Sequence, residues 1–210
     1  MSANSPVYAT TDGQLISGTT GDDVLVTTYN NDTLSGGQGN DFLYSYRMQL
    51  VGTINPTYLL LSGGPTTFHV DAGGGHDVIR AYSTSGGNVL EFGAGIRPED
   101  LTLSEASQTD DFYYAPSSGN TWGIPKASSA CSSLEVRNTK TGDELDIASA
   151  FDALGHAGFS GIDLIRFADG PTLTWDQWTG LLPKIRRALA YADGVTVKGE
   201  NQGDTLIGGA

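Results

Sequence analysis

Apolar residues recur every nine positions through the first eighty residues of the chain. In consecutive blocks of nine that begin at Ala9, the eighth place holds a large apolar residue in every block but one, where it holds Gly52. These eighth places are Ile16, Leu25, Leu34, Leu43, Gly52, Leu61, Val70 and Ile79. The regular spacing predicts a repeat protein in which each unit contributes one side chain to a shared core.

Several of these blocks place turn-forming residues before the apolar place. Glycines are common there, and glycine allows the positive φ angles that tight turns require. We therefore interpret a unit as six turn residues followed by a three-residue strand, in which one side chain points inward because strand side chains alternate. The predicted fold class is all-β, with stacked coils of short parallel strands around a continuous core.

The sixth place of the unit is acidic in half of the blocks. It reads Gln14, Asp23, Asp32, Asp41, Leu50, Leu59, Phe68 and Asp77. Stacked coils would bring these carboxylates into rows, where they repel one another unless a cation lies between them. Ca²⁺ suits such rows because it binds carboxylate and backbone carbonyl oxygens in a flexible arrangement.

Three blocks resemble a known calcium-binding repeat. Residues 18–26 read GTTGDDVLV, residues 36–44 read GGQGNDFLY and residues 72–80 read AGGGHDVIR. These blocks resemble the GGxGxDxUx units of the RTX family of secreted bacterial proteins. The resemblance implies a right-handed parallel β-roll (a form of β-helix) over residues 9–85, with Ca²⁺ bound in its turns.

The resemblance also implies which residues bind the metal. In the family two successive units form one coil, so a metal site lies between turns of adjacent coils. Asp23 and Asp41 are then the only such pair with both acidic residues in place, because Asp32 lies opposite Gln14 and Asp77 has no acidic partner in the block at 54–62, one coil earlier. The implied metal-binding residues are Gly18, Thr20, Asp23, Gly36, Gln38, Asp41, Asp32, Asp77 and Asp204.

The nonapeptide pattern weakens between residues 45 and 71. The blocks at 45–53 and 54–62 lack glycines at the turn places. Two interpretations stay open for these blocks. They are either further coils of the roll, or a segment in which the nine-residue frame agrees by coincidence.

A different pattern follows the repeats. The sequences VLEFGAGIRPEDLTL and IDLIRFADGPTLTWDQW resemble the haemolysin-type calcium-binding related module that often follows RTX units. Alternating apolar residues at 133–138, 143–151 and 161–170 predict half-buried antiparallel strands.

A short helix is predicted near the end of this region. Thr174 and Gln177 have the spacing of a capping box, which predicts a helix that starts at Trp175. Pro183 should end or kink that helix. We therefore assign residues 86–190 to an antiparallel β module with a C-terminal helix.

The last residues repeat the pattern of the first. The sequence DGVTVKGENQGDTLI at 193–207 aligns with DGQLISGTTGDDVLV at 12–26, so that Asp204 corresponds to Asp23. We interpret residues 191–210 as the start of a further RTX repeat. The chain is then one period of a longer tandem or multidomain protein.

Residues 109–133 form a predicted loop rich in serine, glycine and aromatic residues. An extended loop of this kind is either functional or disordered. Tyr113, Tyr114 and Trp122 are candidate contacts to a glycan or another cell-surface ligand, because aromatic rings offer large apolar faces.

The composition limits the partners and the location. A formal net charge of −13 argues against nucleic acid and anionic lipid and suits cations. No run of 18 apolar residues predicts a membrane span. The single cysteine, Cys131, cannot form an internal disulfide, and the first residues do not have the pattern of a signal peptide. The RTX resemblance implies type I secretion, which is read from a carboxy-terminal signal, so we expect an extracellular or bacterial cell-surface location.

Known catalytic motifs are missing from the sequence, including the HExxH zinc helix, the nucleophile elbow and the phosphate loop. We therefore expect no enzymatic activity. The leading hypothesis is a calcium-binding scaffold, spacer or adhesin repeat that adjoins neighbouring modules of the same polypeptide. The alternatives are a carbohydrate-binding module that uses residues 109–133, and an accessory tail of a secreted hydrolase or toxin.

Overall fold

The computed structural model describes residues 6–51, 57–82, 85–107, 122–123, 132–151 and 161–180. Apart from the helix α1 (Trp175–Thr179) and a 3-10 turn at Pro98–Asp100, the regular elements in these ranges are strands. The prediction of a mostly β fold is confirmed. The strands are β1 (Val7–Tyr8), β2 (Leu15–Ser17), β3 (Val24–Val26), β4 (Asp32–Ser35), β5 (Phe42–Tyr44), β6 (Tyr46–Val51), β7 (Thr57–Ser62), β8 (Thr66–Val70), β9 (His76–Arg80), β10 (Val89–Phe92), β11 (Leu101–Ser107), β12 (Trp122–Gly123), β13 (Ser132–Asn138), β14 (Glu144–Phe151), β15 (Leu164–Phe167) and β16 (Thr172–Thr174).

Most strands belong to two sheets that the chain visits alternately. The first sheet has the order β1-β3-β5-β9-β14-β13-β11, and the second has the order β16-β15-β10-β8-β4-β2. Parallel pairing sets Leu25 opposite Leu43 in the first sheet and Ile16 opposite Leu34 in the second. The partners in both pairs are 18 residues apart. One coil therefore comprises two nine-residue units, as predicted.

The eighth-place side chains form the core between the two sheets. They belong to one cluster of buried residues that extends from Ala9 to Trp178. Burying one leucine side chain stabilises a fold by roughly 1.5–3 kcal/mol, so a stack of such residues favours the coil register strongly. The buried eighth-place residues are Ile16, Leu25, Leu34, Leu43 and Ile79.

Replacing Leu34 by alanine should destabilise the protein far more than the same change at Leu15. Leu34 is 0% exposed, whereas Leu15 in the neighbouring strand β2 is 68% exposed. We expect Leu34→Ala to lower the free energy of unfolding by about 2–5 kcal/mol, because it leaves a cavity in the core. Leu15→Ala should have little effect. Urea unfolding of both variants measures the difference, and equal losses would contradict the core assignment.

The predicted eighth-place series is wrong at Leu61 and Val70. β6 and β7 form an antiparallel hairpin that also pairs with β12, and neither strand joins the two main sheets. Leu61 lies in that hairpin, and Gly52 lies outside the described residues. In the second sheet Phe68, not Val70, takes the core place opposite Leu34.

The nine-residue frame returns at Ile79 because two departures from it add up to one coil. Phe68 lies 34 residues after Leu34, so the chain through the hairpin adds 16 residues to the 18-residue coil. The segment between β8 and β9 adds two more, which places Ile79 opposite Leu43, 36 residues earlier. Of the two interpretations left open for residues 45–62, the coincidental frame is therefore confirmed.

Both sheets continue past residue 86. β10 pairs in parallel with β8 and β15, and β14 pairs in parallel with β9. The remaining pairs, β11 with β13, β13 with β14 and β15 with β16, are antiparallel. The prediction of antiparallel strands is therefore right for these pairs. It is wrong for β14 and β15, which pair in parallel with β9 and β10. The predicted domain boundary after residue 85 falls between β9 and β10. Both main sheets contain strands from before and after this boundary.

The short helix begins where the capping box predicts. The Thr174 hydroxyl accepts the Gln177 amide at 3.2 Å, and the Gln177 side chain accepts the Thr174 amide at 2.9 Å. The Trp178 ring is buried, 6.0 Å from the Trp175 ring and 5.9 Å from the Phe92 ring. Both tryptophans therefore pack against the core. Among the described helices, none has the length and apolar character that a membrane span requires.

Candidate metal centre

Three acidic turns stack above one another at the edge of the first sheet. We call them the first acidic turn (residues 18–23), the second acidic turn (36–41) and the third acidic turn (72–77), and each ends at an aspartate. The Asp23 amide donates to Asp41 Oδ1 at 2.8 Å, and the Asp41 amide donates to Asp77 Oδ1 at 3.0 Å. All three side chains are buried. The row of carboxylates implied by the sequence therefore exists.

Asp77 has an acidic neighbour, which corrects the expectation that it has none. Leu59, the sixth place one coil earlier in sequence, lies in β7 of the hairpin, which does not join the two main sheets. The neighbour of Asp77 is Asp41, 36 residues earlier. The chain leaves the stack for the hairpin after Asp41 and returns to it before Asp77. The row of aspartates is therefore not interrupted.

Fifth-place side chains hold the same turns in register. The Asn40 amide donates to Asp22 Oδ1 at 2.9 Å, and the His76 amide donates to Asn40 Oδ1 at 3.0 Å. These bonds run in the opposite direction to those of the sixth-place aspartates. A fifth-place oxygen accepts an amide of the following coil, whereas a sixth-place carboxylate accepts an amide of the preceding coil. Adjacent coils are thus joined by side-chain oxygens from both sides.

Glycines allow these turns to approach closely and line the gap between them with oxygen atoms. A Cβ atom on Gly36 would lie within 3.0 Å of Asp41 Oδ2, and one on Gly18 would lie within 3.0 Å of the Gly36 carbonyl oxygen. Gly37, with a φ of 96°, meets the Thr19 carbonyl in the same way. A larger residue would therefore fill the space around Asp41.

Asp41 carries a buried oxygen atom with no partner. Its side chain is 0% exposed, and no described residue donates a hydrogen bond to Oδ2. A buried polar atom without a partner is costly, and a buried charge more so. Burial is the main cause that raises the pKa of Asp41 to about 6, and the charges of Asp23 and Asp22 add to it. Asp41 Oδ2 is therefore placed to receive a proton or a cation.

Asp77 shares this electrostatic environment. Burial raises its pKa to about 7, and the nearby charges of Asp41 and Asp143 contribute in the same direction. Adjacent carboxylates in a poorly solvated row disfavour one another's ionised form. A cation in the row would remove that penalty for both.

Asp23 and Asp32 differ from Asp41 because their second oxygen is already satisfied. Asp23 Oδ2 accepts the Thr19 amide at 2.6 Å and the Thr19 hydroxyl at 2.8 Å. Asp32, in the row above the second sheet, accepts the Gln14 amide at 2.7 Å through Oδ1 and the Thr27 hydroxyl through Oδ2. The sequence pairs Asp23 with Asp41 and sets Asp32 apart, whereas in the structure the unsatisfied second oxygen separates Asp41 from both Asp23 and Asp32.

The remaining predicted residues have different positions. Thr20 and Gln38 are exposed in the third place of their turns. Tyr113, Tyr114 and Asp204 lie outside the described residues, and Trp122 lies in β12, opposite Gln49 of β6.

The metal site would depend on backbone oxygens. Within the part of the chain that the structure describes, no group of three His, Cys, Asp or Glu side chains is close enough to hold a metal. A site in the acidic turns would therefore need main-chain carbonyls beside its carboxylates, which is the mixed oxygen set typical of Ca²⁺ rather than of Zn²⁺. The residues present fit Ca²⁺ on this criterion, with Asp41 as the principal carboxylate.

Sequence analysis missed the continuation of the second row. The Thr66 amide donates to Asn88 Oδ1 at 2.8 Å, and the Asn88 amide donates to Asp163 Oδ2 at 3.0 Å. These residues extend the Gln14–Asp32 row into the second half of the chain. The glycines before Asn88 and Asp163 are the signal that could have found them, although uneven insertions hide the nine-residue spacing.

Asp143 supports the third acidic turn from the next coil. Its carboxylate accepts the Gly73 amide at 2.7 Å and the Gly75 amide at 3.3 Å. The turn that carries Asp143 lies between two antiparallel strands, so it does not have the nonapeptide pattern. Its carboxylate binds amides, which is a structural role.

Residues 11–46 match the family model described as RTX calcium-binding nonapeptide repeat (4 copies). The matched segment contains the first and second acidic turns and ends where the β6–β7 hairpin starts. No curated protein and no solved structure matches the chain. The chain therefore carries RTX calcium-binding repeats, which confirms the resemblance recognised in its sequence.

Proposed function

We propose that the protein is a structural module whose parallel β-roll binds Ca²⁺ in its acidic turns and depends on that ion for stability. The observation that supports this most is Asp41 Oδ2, a buried carboxylate oxygen without a hydrogen-bond donor. It lies inside the segment that matches the calcium-binding repeats. A buried oxygen of this kind is stabilised by a proton or by a cation at the same place, and a cation also offsets the charges of the neighbouring aspartates.

The residues of the second acidic turn would hold the ion. Asp41 supplies the carboxylate, and the Asp23 amide fixes its orientation through Oδ1. Gly18 and Gly36 keep the space beside it open for backbone carbonyl oxygens. Bound Ca²⁺ supplies positive charge that offsets repulsion between Asp41 and its neighbours in the row. That Asp23 and Asp41 share one ion stays a prediction.

The biological role we infer is that of a spacer or adhesin repeat in a secreted bacterial protein. Its folding would be controlled by Ca²⁺. Calcium is scarce inside cells and abundant outside, so a module that needs the ion would fold after export. The net charge of −13 also favours an extended, soluble chain without calcium. On this proposal the neighbouring modules of the same polypeptide are its partners, and the segment itself performs no catalysis.

Asp41→Asn tests the proposal directly. We expect the variant to bind one calcium ion fewer per chain than the wild type, because the amide removes the charge while keeping the side-chain shape. Asp176→Asn is the matched control, since Asp176 is exposed on α1 and far from the turns in sequence. Isothermal titration calorimetry on the full chain gives the stoichiometry. Equal stoichiometry and affinity in wild type and Asp41→Asn would refute the site.

A further inference from the structure

Two turns of the roll each bury an aspartate side chain, but they surround its second carboxylate oxygen differently. Asp32 ends the turn at residues 27–32, which we call the opposite turn, and Asp41 ends the second acidic turn. Both side chains are 0% exposed. Each uses Oδ1 to accept an amide of the adjacent coil, from Gln14 and Asp23 respectively. The two differ only in what faces Oδ2.

The first place of the turn accounts for the difference. It is Thr27 in the opposite turn and Gly36 in the second acidic turn. The buried Thr27 hydroxyl donates to Asp32 Oδ2 and accepts the Tyr29 amide at 3.0 Å. A Cβ on Gly36 would instead collide with Asp41 Oδ2. The threonine side chain therefore fills the space that glycine leaves open next to Asp41.

The neighbours of the two carboxylates agree with this difference. Asp41 lies between Asp23 and Asp77 in its row, so three buried carboxylates follow one another. Asp32 lies between Gln14 and Thr66, which carry no charge. A single carboxylate is adequately stabilised by a hydroxyl and an amide, whereas a row of three requires positive charge.

We propose that the Thr27 hydroxyl takes the place of a cation at Asp32, so that the opposite turn keeps its shape without metal. Thr27 thereby determines whether the opposite turn binds Ca²⁺. The inference rests on the proposed calcium binding at Asp41. It assigns Asp32 a structural role, in contrast to its implied role as a metal ligand, and it means that the opposite turn forms without calcium.

Restoring glycine at the first place should create a calcium site. We expect Thr27→Gly to bind one calcium ion more per chain than the wild type, measured by titration calorimetry and by equilibrium dialysis with Ca²⁺. Adding Asp32→Asn to that variant should remove the extra ion. Thr27→Ser, which keeps a hydroxyl, should retain the wild-type stoichiometry. Thr28→Gly is the matched control for the added backbone freedom and should gain no ion.

The outcomes separate this inference from the proposed function. If Thr27→Gly folds but gains no ion, Thr27 does not replace a cation. If Thr27→Gly fails to fold, Asp32→Asn alone decides, because loss of an ion from that variant would make Asp32 a ligand and overturn the inference. If the wild type binds no calcium, the proposed function fails. The role of Thr27 then survives only if Thr27→Gly gains an ion.

Discussion

Removing calcium should lower the melting temperature of the protein by about 5–10 °C, in a single transition. The size follows from linkage, because free ligand at a hundred times its dissociation constant stabilises a folded state by about 2.7 kcal/mol, and each kcal/mol shifts the melting temperature of a protein of this size by about 2–4 °C. One transition is expected because the buried cluster is continuous from Ala9 to Trp178.

Circular dichroism melts in EDTA and in millimolar Ca²⁺ measure this shift. Mg²⁺ is the control cation, since it requires a stricter octahedral geometry than mixed turn carbonyls provide. Asp41→Asn should show a smaller difference between EDTA and Ca²⁺ than the wild type does. Identical melting temperatures in EDTA and Ca²⁺ would refute calcium-dependent stability. Two separate transitions would instead show that the two halves of the chain unfold independently despite their shared sheets.

The coil of the roll was predictable from sequence because burial imposes a strict period. Leu25 and Leu43 must both face the core, which gives the nine-residue period. The coil of two units was implied by the resemblance to RTX repeats, and the pairing of Leu25 with Leu43 agrees with it. The hairpin of β6 and β7 was not predictable, because the extra residues before and after β8 add up to one coil and leave Ile79 in frame. Counting residues cannot detect two departures that together equal one full coil.

The candidate site was predictable in its residue types but not in its chemistry. The aspartates of the acidic turns were identified by their spacing. Which of them has an unsatisfied oxygen depends on neighbouring hydroxyls, such as those of Thr19 and Thr27, and on the exact approach of adjacent coils. These are contacts between residues whose relative positions the repeat pattern does not specify. A threonine in a place where the repeat has glycine was nevertheless visible in the sequence.

Without calcium, the protein should be more stable at pH 5 than at pH 8. Asp41 has a folded-state pKa of about 6 and Asp77 one of about 7, both above the ordinary value of 3.8. A raised pKa means that the folded state binds protons more tightly than the unfolded state does. The resulting stability is fully present below pH 3.8 and is lost as the pH rises through the two folded-state values.

For Asp41 alone the full effect, from below pH 3.8 to well above pH 6, is on the order of 3 kcal/mol, of which about half falls between about pH 5 and 8. The contributions of the two carboxylates are not additive because they interact. Urea unfolding in EDTA at several pH values from 4 to 8 (roughly the window in which the free energy of unfolding should fall) measures the trend. The double variant Asp41→Asn/Asp77→Asn should flatten the profile, because it removes both carboxylates whose folded-state pKa is raised. Saturating Ca²⁺ should reverse the trend in the wild type, because protons and calcium compete for the same carboxylates. A calcium-free protein that is more stable at pH 8 than at pH 5 would mean that the buried carboxylates of the acidic turns do not control its stability.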